Sequence, residues 1–209
     1  MNGQKGDETI GGLRKAFRVL LIILGLGVLA VPPVVLITSG TAALDATWTS
    51  VRLSALLALS LIFLDITTGA FRPLFNRLYR ARTVQRFHTA FALTGFALAL
   101  AHGILTAVLG LAGFDTVAVA VGPVALLVLT VVILTALMRQ RLRHIWRWIH
   151  RLNYLVFTAI IVHAFILGYD VKKASFLKIV MIVYAVAALL GLAYRVSIYL
   201  RSRRRKKAS

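Results

Sequence analysis

A chain of 209 residues that is 60% hydrophobic and 15% charged is too apolar for a soluble domain of its size. Its apolar residues run in blocks long enough to cross a bilayer, about 20 residues for a hydrocarbon core of roughly 30 Å. The formal charge of +19 suggests nucleic acid at first sight. The basic residues fall between the apolar blocks, however, so the charge reports topology and affinity for anionic lipid, and a nucleic-acid partner is set aside.

The chain opens with a polar segment of mixed charge, residues 1–16. The apolar block after it is too long for a signal-peptide core and lacks a small-residue cleavage pattern, so it is read as a first span over 17–37. Pro32 and Pro33 lie near its end, where a kink is tolerated. Further spans are expected over 51–71, 87–111, 116–138, 146–167 (starting at Trp146 or Trp148) and 176–200, with Gly122-Pro123 as a kink in the fourth. A basic tail, 201–209, ends the chain. The expected fold is an all-α integral membrane protein, a six-helix bundle over 17–200.

Orientation follows from the loops. Lys5, Arg14, Lys15 and Arg18 flank the first span. The 72–86 loop carries Arg72, Arg77, Arg80, Arg82 and Arg86, and the 139–151 loop Arg139, Arg141, Arg143, Arg147 and Arg151. The tail adds six more, so these four clusters hold 20 of the 25 basic residues. Alternate loops, 38–50, 113–115 and 168–175, are nearly free of them apart from Lys172, Lys173 and, just beyond, Lys178. The positive-inside rule then puts both termini in the cytoplasm, in a multi-pass cell-membrane protein of the bacterial inner-membrane kind.

The chain has no cysteine, which removes disulfides, thiolate-held iron–sulfur clusters and covalent C-x-x-C-H haem attachment. No glycine-rich phosphate loop and no Ser-His-Asp set stands out, and the acidic residues number only six. Chemistry is concentrated in the histidines. There are five, and four lie on two spans that run in the same direction: His88 and His102 on the third, His150 and His163 on the fifth. His88 shares the inner level with His150, and His102 the outer level with His163, the levels being roughly 20 Å apart at 1.5 Å per residue. A lone histidine in a membrane helix is more often a hydrogen-bonding or proton-path residue. Four in register at two depths point instead to two bis-histidine haem sites in an apolar bundle.

Helical phase treats the two pairs differently. The 14 residues from His88 to His102 return to within about 40° of the starting face. The 13 residues from His150 to His163 miss it by about 140° on a straight helix. A π-bulge, a tilt or an irregular start near His150 is required.

The pattern His88-x13-His102 with His150-x12-His163, on the third and fifth of six spans, resembles the ferric reductase-like transmembrane domain. Local sequence agrees over Arg86-Phe87-His88, over Gly95-Phe96-Ala97-Leu98-Ala99-Leu100-Ala101-His102, over Trp146-x3-His150-Arg151-Leu152-Asn153-Tyr154 and over His163-Ala164-Phe165. The resemblance covers about residues 15–200 and implies two b-type haems, one on His88 and His150, the other on His102 and His163. It implies an oxidoreductase that moves electrons from a cytoplasmic or quinol donor to an acceptor outside.

Larger members continue into a flavin- and nicotinamide-binding domain, whereas this sequence ends at Ser209. The expected donor is therefore a separate flavoprotein carrying FMN or FAD, or the quinone pool. An alternative is the haem subunit that feeds a periplasmic reductase such as a methionine-sulfoxide reductase. That subunit has a similar size, but its third helix lacks the first of the two histidines. A non-redox transporter or scaffold is the alternative of another class.

Haem propionates need cationic partners at membrane depth. Arg52 is the candidate for the outer haem, and Arg86, Arg147 and Arg151 for the inner one, against a background of arginines that simply snorkel to headgroups. Asp65, the sole acid inside an expected span, is read as pairing with Arg72 or, less favoured, relaying protons. His144 is read as a solvated or headgroup residue, Phe157 as packing between the two levels, and Trp146 and Trp148 as interfacial anchors.

Overall fold

The computed structural model describes residues 2–38, 45–111 and 117–208, with no account of the side chains of 2–10, 118 and 206–208. The expected 113–115 loop and residues 39–44 of the 38–50 loop lie outside it. Ten helices follow in order: α1 Asn2–Thr38, α2 Ala46–Ala70, α3 Arg72–Leu78, α4 Ala81–Val108, α5 Val117–Leu137, α6 Arg139–Leu142, α7 Ile145–His150, α8 Asn153–Leu167, α9 Tyr169–Lys173 and α10 Ser175–Ala208. No strand occurs among the described residues. Six segments are long and apolar enough to cross a membrane: 28 residues of α1, all of α2 and α4, most of α5, α7 with α8, and 31 residues of α10.

Their outward faces suit lipid. Leu20, Ile22, Ile23, Leu24 and Leu26 of α1 are all exposed, as are Ile179, Ile182, Val183, Leu189 and Leu190 of α10. A water-soluble surface does not sustain apolar stripes of this length.

Both terminal helices outrun their expected spans. α1 begins at Asn2, so residues 2–16 are helical, and α10 runs on through residues 201–208. A helix already nucleated in the bundle gains one backbone bond per added residue, and no proline stands in either extension.

α2 is the central helix. The buried share of its most apolar window is 56%, against 6% for α4 and at most 28% for any other span. It starts where the Asp45 side chain caps it, accepting the Thr47 N–H at 2.8 Å. It ends before Arg72-Pro73, where proline opens α3 and disfavours a helical residue ahead of it. α1, α4, α8 and α10 all pack on α2. Its tightest partner is α4, and Gly95 permits that approach: a Cβ there would stand 3.1 Å from Ile62 Cγ1 and 3.2 Å from Leu61 Cβ. At Gly191, α10 comes equally close, with a Cβ placed 2.8 Å from that of Ala70. Between these contacts Phe63 stacks on Tyr184 at 4.0 Å and on Phe157 at 6.3 Å. Phe157 is 2% exposed and belongs to the main apolar cluster, which agrees with its reading as packing.

The fifth span is broken. α7 ends at His150, Arg151 and Leu152 form a turn, and α8 starts at Asn153. The Arg151 N–H bonds to the Trp148 carbonyl, Leu152 to Ile149 and Tyr154 to Arg151, all of the tighter three-residue type. Such steps turn about 120° rather than 100°, so about four of them recover roughly 80° of the 140° deficit. The irregular start that the 13-residue spacing required is therefore present, one residue past His150.

Candidate functional site

The histidines of α4 are both anchored to α2. His88 Nδ1 stands 2.6 Å from the Asp65 carboxylate and 3.1 Å from the Asp65 carbonyl oxygen. His102 Nδ1 stands 3.1 Å from the Val51 carbonyl oxygen. Asp65 and Val51 are 14 residues apart, as are His88 and His102, so one antiparallel register of α2 against α4 makes both contacts. A carbonyl oxygen only accepts, so each Nδ1 carries a proton, and in the neutral ring Nε2 then presents a lone pair. This arrangement fixes a ligating imidazole in metalloproteins.

α4 and the broken span α7–α8 approach across a space. Few close backbone contacts join them; α4 packs mainly on α2, and α7 and α8 mainly on α5. Across the gap the rings of His88 and His150 lie 6.1 Å apart, centre to centre, at 84°. Both rings line a cavity of about 1160 Å³, somewhat above the roughly 300–1,000 Å³ typical of small-molecule sites. His150 Nδ1 is buried and has no hydrogen-bond partner among the described residues. A buried nitrogen of this kind is costly unless something meets it.

The cavity walls combine apolar groups such as Val132, Ile133 and Leu192 with arginines from four elements: Arg72, Arg139, Arg147, Arg151 and Arg195. Arg147 and Arg151, expected here from sequence, are thus in place, and Arg151 also lies over the Trp148 ring at 4.4 Å. Arg86 does not line this cavity. It faces a neighbouring shallow depression with Arg72 and Arg82, because its position two residues before His88 turns it to another side of α4. Arg195 was missed by sequence reasoning; its signal was a lone arginine well inside the last apolar block.

On the other side of the bundle, His163 leans on Gly122 of α5, where a Cβ would stand 2.8 Å from His163 Cε1. His102 and His163 are close enough to interact electrostatically. Arg52, expected to await an outer anion, meets one from the chain itself. Its Nε donates to Asp170 Oδ2 at 2.9 Å and its Nη2 to Oδ1, and both side chains are buried. Tyr169 adds a ring 5.3 Å from the guanidinium.

Three further expectations are resolved. Asp65 meets His88 rather than Arg72, since α2 and α4 pack side by side and bring the His88 ring against the carboxylate. Trp146 sits 5.7 Å from His150 and lines the cavity, whereas Trp148 is 70% exposed. His144 is exposed ahead of α7. Among the described residues, no group of three His, Cys, Asp or Glu side chains is placed to hold a metal ion by itself. Comparison with models of known protein families and with curated proteins gives no match.

Proposed function

We propose that this chain is a transmembrane electron-transfer component of the ferric reductase-like kind, binding two b-type haems. His88 and His150 would hold the inner one, His102 and His163 the outer one. The observation that carries the reading is the pair of α4 imidazoles locked by α2, with the facing His88 and His150 rings 6.1 Å apart over a large cavity. Two side chains per iron suffice, because the macrocycle supplies the other four nitrogens; a three-residue metal cluster is not needed. Bound haem would supply a one-electron couple.

The chain's own residues do the rest. Asp65 and Val51 hold the α4 rings in the Nδ1–H tautomer. Apolar walls from α5 and α10 exclude water, and Arg147, Arg151 and Arg195 offer charge-assisted hydrogen bonds to carboxylates at the mouth. The clustered arginines support a reading in which that mouth faces the cytoplasm. An electron donor on a partner flavoprotein, or a quinol, would approach there, and an acceptor on the opposite face.

The purified protein should give a reduced-minus-oxidised b-type spectrum with two haems per chain. His88→Ala and His150→Ala should each leave one haem, and His144→Ala should leave both. A wild-type protein without a b-type band would sink the proposal.

A further inference from the structure

The two α4 histidines share a register but not a partner. At both levels Nδ1 meets a peptide carbonyl at 3.1 Å, and at the inner level alone a carboxylate oxygen also stands 2.6 Å from it. The inner contact is a specific one. The Asp65 carbonyl faces both the His88 Nδ1 at 3.1 Å and the Thr68 hydroxyl at 2.9 Å, while Asp65 Oδ1, 2.6 Å from the same Nδ1, has no hydrogen-bond partner among the described residues. The imidazole is therefore the cationic or dipolar group nearest that buried oxygen, held beside it rather than hydrogen-bonded to it. Asp65 is 5% exposed, where a charge is costly unless a close partner compensates it. Gly69, one turn along α2, leaves room for the ring: a Cβ there would be 3.2 Å from His88 Cε1.

A carboxylate on the remote nitrogen of a ligating imidazole makes the imidazole more basic and more anionic, and a more electron-donating ligand favours the oxidised metal. A backbone carbonyl does this far less. We propose that Asp65 is a positioning residue that differentiates the two sites: it orients His88 and biases the inner haem toward its oxidised state, with no counterpart at His102. The inference rests on the haem reading above. Arg72, near His88, and Arg195, near His150, act in the opposite sense, but both are unchanged when Asp65 alone is varied.

Asp65→Asn keeps an oxygen in place and removes the charge; Asp65→Glu keeps the charge. Redox titration of the haem absorbance, with electron paramagnetic resonance of the oxidised protein, reads each site. The His102→Ala variant, which should retain only the inner haem, identifies the inner signals. Asp65→Asn is expected to raise the inner midpoint potential by a tenfold or greater shift in the reduced-to-oxidised ratio, 59 mV for one electron. It should change the inner resonance signals and leave the outer site as it was, and Asp65→Glu should stay near wild type. If Asp65→Asn loses the inner haem, retention by Asp65→Glu still supports a charged partner, and equal loss from both overturns it. Two bound haems with unmoved potentials, or an equal shift of both, overturn this inference alone. Absence of haem from the wild type overturns it together with the reading on which it stands.

Discussion

Asp170→Ala isolates a buried charge, and its cost follows from the geometry. The Arg52 and Asp170 side chains are 4% and 7% exposed and meet through two nitrogen–oxygen contacts. Removing one member of such a pair strands the other, at about 3–5 kcal/mol. A Coulomb estimate of about 4 kcal/mol, for charges about 4 Å apart at an effective dielectric of 20, falls in the same range. At about 2–4 °C per kcal/mol for a chain of this size, the apparent melting temperature in detergent should fall by roughly 6–20 °C. Arg52→Leu should cost a similar amount, because it strands the carboxylate instead. The double variant Arg52→Leu/Asp170→Leu should recover most of the loss, since apolar groups of similar volume replace buried ion pairs at little cost. Tyr169→Leu serves as control: it removes the ring over Arg52, worth about 0.5–2 kcal/mol. Melting curves of these four variants decide the matter. Additive losses in the double variant would refute the argument, as would a shift below about 2 °C for Asp170→Ala.

Two glycines yield contrasting outcomes. Gly95→Leu places a branched side chain where even a Cβ is 3.1 Å from Ile62, so α2 and α4 must separate. Overpacking of this sort costs about 1–3 kcal/mol, and both haems should be depleted because both histidine contacts depend on that register; wild-type haem content with unchanged melting would count against it. Gly122→Ala instead meets only the far end of the His163 ring at 2.8 Å. The ring can move, so melting should change little while the outer haem alone is lost or spectrally altered, and pyridine haemochrome assay with the visible spectrum would show whether the inner haem suffers instead.

The spans were readable because a bilayer demands length and apolarity, and six blocks met both demands without any knowledge of packing. The shared face of His88 and His102 was readable for a similar reason: 14 residues are nearly four turns. What depends on packing register was not readable. Asp65 reaches His88 across 23 residues and Arg52 reaches Asp170 across 118, and no local pattern marks either partner. Arg52 was read as a partner for an outer haem propionate, and Asp170 carried no motif that marked it as the acid Arg52 would meet. The break after His150 carries no proline or glycine; residues 150–153 read His-Arg-Leu-Asn. Its only trace in sequence was a mismatch, the 13-residue spacing that a straight helix cannot accommodate.

That mismatch bears on how the four histidines are held. On α4 an unbroken helix sets the two depths, and each Nδ1 is tied to α2. On the fifth span a turn between the histidines makes up part of the phase difference, and His150 Nδ1 has no hydrogen-bond partner among the described residues. The α4 imidazoles are therefore held in place by α2, whereas His150 sits at the end of a six-residue helix followed by a turn. Side chains on so short an element adjust at lower cost than those on a 28-residue helix packed on the central one. A bulky planar group entering from the basic side would meet a rigid wall on α4 and an adaptable one on α7. Insertion between two rigid walls would require α2 and α4 to part, and the contacts at Gly95 leave no slack for that.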